Sequence, residues 1–125
     1  MKSILMLISG GLCIGGGLLH ASGLRVVHGA MVKANVTGDL ANIVDLAWVF
    51  MSMGFVTFGA ILITCGLQMR RKNYGGRAMA GWAAGCLTLF SAGAMIRFGF
   101  NFHFLYFLIV GVVAAFACLP DQKTA

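Results

Sequence analysis

Glutamate is missing from this chain, and aspartate occurs only at Asp39, Asp45 and Asp121. No two carboxylates stand close in sequence, so neighbouring residues cannot supply the acid–base pair that hydrolytic chemistry uses. Neither GxSxG nor HExxH occurs, which removes the strained-turn serine and the helical zinc pair as sources of activity. CxxC is absent as well: Cys13, Cys65, Cys86 and Cys118 each stand alone in a separate apolar run. Zinc needs clustered ligands, so the cysteines read as small buried hydrophobes. Proline occurs once, which leaves long stretches with nothing to break a helix. These absences point to a protein that is not an enzyme and holds no metal.

Charge is also scarce. Only 10% of the 125 residues are charged, against about 25% in an ordinary soluble domain. Hydrophobic residues make up 60%, more than a chain of this length can hide from water. Low hydrophobicity, the mark of disorder, is absent. The net charge of +6 does not indicate nucleic acid, because the basic residues fall at the ends of apolar runs. There they act as topology signals or meet anionic lipid head groups. The 18 glycines fit the same picture, since glycine lets transmembrane backbones approach closely. The expected partners are therefore the lipid bilayer and other membrane-protein subunits or further copies of the chain.

Four stretches free of Asp, Glu, Lys and Arg, at 3–24, 46–69, 78–96 and 98–119, are each close to the roughly 20 residues that span a hydrocarbon core. They predict an all-α, four-helix transmembrane bundle in one domain over 1–125, with helices over about 3–24, 43–69, 78–97 and 101–119. The first stretch could be mistaken for a secretory signal. His20-Ala21-Ser22 makes a poor cleavage pattern, so a retained helix is expected. Thr37 or Asp39 could cap the second helix. The last two helices must be joined by a tight turn over 97–101, where Gly99 and Asn101 suit left-handed backbone.

Lys2, Arg70, Arg71, Lys72, Arg77 and Lys123 fall on one side of such a bundle, and Arg25, Lys33 and Arg97 on the other. Positive charge marks the cytoplasmic side. Both termini are therefore expected in the cytoplasm, in a chain that looks like a bacterial inner-membrane protein.

Two GxxxG motifs, Gly11–Gly15 and Gly81–Gly85, predict close helix contacts, within the chain by preference and otherwise between chains. Trp48, Phe98, Phe100, Phe102, Phe104, Tyr106 and Phe107 crowd the helix ends opposite the termini. An aromatic belt at the interface is the first reading, and a pocket is the second.

The same ends bring together the ionisable residues closest to apolar surroundings: His20, Asp45, Arg97 and His103, with Asn101 beside them. Such residues usually pair or work. An Asp45–Arg97 ion pair is expected to staple the rim, with His20 and His103 nearby and His28 in a loop. A haem could sit between facing histidines of a four-helix bundle, but the only pair at comparable depth, His20 and His103, lies near the rim. No cofactor is expected. The leading functional expectation is a non-catalytic accessory or assembly subunit of a larger membrane complex. The alternative is a small transporter or channel for an ion, proton or solute that uses this polar cluster.

Overall fold

In lipid, helices associate by packing rather than by escape from water, so small residues decide where backbones meet. The computed structural model, which describes residues 1–120, follows that rule. Its elements are α1 (Lys2–Ser22), α2 (Leu24–Lys33), α3 (Asp39–Arg70), α4 (Arg77–Phe98) and α5 (Phe102–Cys118), with no strand among the described residues. Gly23 keeps right-handed backbone, with φ −72° and ψ −12°, so α1 passes into α2 with little interruption. The bundle therefore has four helical rods.

Three of these rods, Lys2–Lys33, Asp39–Arg70 and Arg77–Phe98, are long and apolar enough to cross a membrane. Their outward surfaces are apolar too: Trp82 is 78% and Ile96 87% exposed. The chain is a helical membrane protein. The fourth expected span is apolar but has only 17 residues. At 1.5 Å per residue it measures about 26 Å, slightly less than the hydrocarbon core.

The α1 helix packs most extensively on α3, and α4 on α5, with α1 against α5 completing the bundle. Neighbouring rods run antiparallel. Gly10 meets Gly59, Gly17 meets Ser52 and Phe55, and Gly66 meets Ser3 and Leu7. At the tightest point, a β-carbon added to Gly10 would lie 2.7 Å from the Gly59 carbonyl oxygen, and one added to Gly59 the same distance from that of Gly10. Gly16 admits the rings of Tyr106 and Phe107 from α5, and Gly111 of α5 sits on Thr88 and the Ala84 carbonyl of α4. Met6, Cys13, Leu62, Leu87 and Phe107 form the most deeply buried part of the core. Lys2 Nζ donates to the carbonyl oxygens of Leu119 (2.7 Å) and Pro120 (3.1 Å). The start of α1 and the end of α5 are thereby tied at one end of the bundle.

Several sequence expectations are corrected. Gly11, Gly15, Gly81 and Gly85 make no close helix contact within the chain, because a β-carbon on any of them would meet nothing within 4 Å. The packing glycines of α1 are Gly10 and Gly17, which meet α3, and Gly16, which meets α5; each lies about 100° or more around the helix from Gly11 and Gly15. The segment over 22–42 is not simply a loop. It contains α2, which has no buried residue and holds His28 in helix. The α3 helix begins at Asp39, earlier than expected, with Gly38 as its cap residue and no side-chain cap bond from Thr37 or Asp39. Asp39 instead places its charge in the first turn, where the helix dipole favours it. Gly99 does take positive φ in the α4–α5 turn, at 84°. Asn101 is extended and caps α5 by accepting from the His103 backbone N–H at 2.8 Å. Lys123 and Asp121 lie outside the described residues.

Candidate functional site

Toward the end of the bundle away from Lys2, residues of all four rods line a cavity of about 570 Å³. That size is typical of a small-molecule pocket, as is a mainly apolar lining with a few polar groups. Gly16, Leu19 and His20 come from α1, Trp48, Met51 and Phe55 from α3, and Phe90 from α4. Asn101, His103, Phe104, Tyr106 and Phe107 come from α5 and the turn before it. The floor is a face-to-face pair, Phe55 on Phe107, with ring centroids 3.8 Å apart and planes 11° apart.

His20 organises the polar part. It is only 8% exposed and is held by two residues of α3, Trp48 and Ser52, which stand one turn apart on the same face. The Trp48 ring stacks on the imidazole with centroids 3.9 Å apart, and its indole N–H donates to the His20 carbonyl oxygen at 2.6 Å. That carbonyl, at the C-terminal end of α1, also accepts from the Gly23 backbone N–H at 3.0 Å. Ser52 Oγ donates to the Trp48 carbonyl at 2.9 Å and lies 2.8 Å from His20 Nδ1. A hydroxyl has one proton. With that proton on the Trp48 carbonyl, Ser52 accepts from an Nδ1–H. The neutral ring is then the Nδ1–H tautomer, with a bare lone pair on Nε2.

Ser52 and His20 are as close as a nucleophile and its base, but with the serine proton on the Trp48 carbonyl the bond runs from imidazole to hydroxyl. Ser52 is also 4% exposed, and among the described residues no carboxylate is hydrogen-bonded to the imidazole. His103 stands across the cavity, its ring centroid 5.1 Å from that of His20 and its plane tilted by 32°. Among the described residues, no group of three or more His, Cys, Asp or Glu could hold a metal ion.

Of the residues singled out from sequence, the structure gathers His20, His103 and Asn101 around the cavity. Asp45 and Arg97 do not join them. Asp45 Oδ2 pairs with His28 Nδ1 at 2.7 Å, because α2 lays His28 against α3. Arg97 is exposed and lies over the Phe98 ring at 5.4 Å. The aromatic residues divide in two. Phe98, Phe100 and Phe102 point outward, as an interfacial belt would, whereas Trp48, Phe104, Tyr106 and Phe107 line the cavity.

Ser52, Met51, Phe55 and Phe90 are site residues that sequence reasoning missed. Ser52 and Phe55 follow Trp48 by four and seven positions, the spacing of one helix face, and that register was the available signal. Comparison with family models, curated proteins and solved structures finds no match.

Proposed function

We propose that this chain is a non-catalytic accessory or assembly subunit of a larger membrane complex, placed in a bacterial inner membrane with both termini in the cytoplasm. The supporting observation is the direction of the GxxxG faces. Gly11 and Gly15 on α1 and Gly81 and Gly85 on α4 have no neighbour within the chain at the β-carbon position. Small residues on an outer face do little for a helix in lipid, but they let a second helix approach closely. An imidazole-to-hydroxyl direction for the Ser52–His20 bond, with the serine proton on the Trp48 carbonyl, supports the non-catalytic part.

Purification from native membranes in a mild detergent tests this. A subunit brings larger membrane partners in fixed ratio, and Gly11→Leu or Gly81→Leu reduces that ratio without lowering the melting temperature of the isolated chain. A chain that purifies alone, with no effect of either change, overturns the reading.

The cavity favours a second reading, a small transporter or channel that uses His20 and His103. Against a pore through one chain stands the core beneath the cavity. Phe55 and Phe107 close the floor, and Cys13, Leu62 and Met6 below are 0% exposed. Solute flux into liposomes containing only this chain would favour the second reading.

A further inference from the structure

The polar groups of the cavity differ in what they can offer a ligand, and the difference is set by Ser52. With the Ser52 proton on the Trp48 carbonyl and the imidazole donating to Ser52 through Nδ1, 2.8 Å away, a neutral His20 presents only an acceptor, its Nε2 lone pair. Tyr106 is committed, since its hydroxyl donates to the Leu12 carbonyl at 2.7 Å. The Asn101 amide N–H groups and the His103 ring make no hydrogen bond among the described residues, while Asn101 Oδ1 is taken by the backbone N–H of His103. The cavity thus holds an acceptor fixed beside Trp48, with the Asn101 N–H groups and the one N–H of a neutral His103 able to donate elsewhere.

Its walls indicate the rest of the ligand. Trp48, Phe55, Phe90, Phe104 and Phe107 line the space, and an aromatic lining suits an aromatic ring. Met51, Phe55 and Phe90 are shared with a second, mainly apolar groove of about 520 Å³ between α3 and α4. This is the weakest of the rod-to-rod contacts around the bundle. A ring in the cavity could therefore extend an alkyl tail along a lipid-facing groove.

We propose that the cavity binds a lipid-soluble hydroquinone, its phenolic O–H donating to His20 Nε2, its second oxygen near Asn101 and His103, and its alkyl tail in the α3–α4 groove. The reduced form is selected over the quinone. A quinone has carbonyl oxygens only, so it can use Asn101 and His103 but leaves the His20 Nε2 acceptor unpaired once the ring covers it. An unmade buried hydrogen bond of this kind weakens binding by about tenfold. The subunit reading does not require such a ligand, so the two stand or fall separately.

The test is calorimetric titration of the full chain in nanodiscs with three probes: a decyl-substituted benzohydroquinone kept reduced, the matching quinone, and decylbenzene. Empty nanodiscs provide the baseline. The hydroquinone is expected to bind about tenfold more tightly than the quinone, and decylbenzene more weakly than either. Ser52→Ala removes the group that fixes the tautomer, so it should narrow the hydroquinone preference while binding persists. His20→Phe should abolish the preference, and its melting temperature reports whether it is folded. Equal or tighter binding of the quinone to the unmodified protein overturns the proposal, as does absence of binding by all three probes.

Discussion

Gly10 and Gly11 are neighbours in sequence, yet alanine at the two positions should have opposite consequences. At Gly10 the new methyl carbon would stand 2.7 Å from the Gly59 carbonyl oxygen, 2.6 Å from Ile63 Cγ1 and 2.9 Å from the Ile63 nitrogen. Two of these three are backbone atoms, so no side-chain rotation relieves the clash. Ordinary contact begins near 3.4 Å, and α1 and α3 must therefore part by about 0.7 Å at this point. The contacts at Gly17 and Gly66 lie on the same seam and would loosen with it. Overpacking of this kind costs about 1–3 kcal/mol. At Gly11 the same methyl meets nothing within 4 Å and brings the better helix propensity of alanine, worth up to about 1 kcal/mol in water-exposed helices. The two variants should differ by roughly 2 kcal/mol, or several degrees in melting temperature. Thermal unfolding in detergent, followed by circular dichroism, gives the comparison. Equal melting temperatures, or a lower one for Gly11→Ala, would refute the assignment of the α1–α3 seam to Gly10 and Gly59.

A double-mutant cycle with Asp45→Asn and His28→Gln should show coupling of about 0.2–1 kcal/mol, the range of an exposed ion pair. The cycle with Asp45→Asn and Arg97→Gln should show none, and the reverse pattern would contradict the placement of α2. Tyr106→Phe removes the hydroxyl bonded to the Leu12 carbonyl and should lower stability by about 1 kcal/mol, measurable in the same melts. Reporter fusions at Ala125 and near Lys33 should read opposite sides of the membrane, and a cytoplasmic signal near Lys33 would defeat the charge argument for topology.

The helical character was legible because it rests on composition and run length, which survive any arrangement of the rods. The α4–α5 turn was legible for the same kind of reason: Arg97, Gly99 and Asn101 interrupt what would otherwise be one overlong helix. Pairings were harder to read. GxxxG marks positions where a helix can be approached, but a helix dense in glycine has several such faces. Nothing local separates Gly10 from Gly11; the choice is made by where Gly59 and Ile63 arrive from α3. Asp45 and Arg97 were matched by charge and by their shared end of the bundle, but α2 interposes His28, and a short amphipathic helix inside a presumed loop leaves little trace in hydropathy. His20 and His103 were matched by depth alone, and their rings do stand close. Ser52 was overlooked because a lone serine in an apolar run usually bonds its own helix. It does so here through the Trp48 carbonyl, and that same bond fixes what His20 can offer.

The cavity depends most on the orientation and proton position of His20, and isotope-labelled histidine NMR reads both. In nanodiscs near neutral pH, with His103→Gln and His28→Gln variants to assign the signals, His20 should show a protonated Nδ1 and a bare Nε2. Its ring should also give cross-peaks to the rings of Trp48 and His103. A proton on Nε2 with Nδ1 bare, or a His20 ring with no contact to Trp48, would contradict the account.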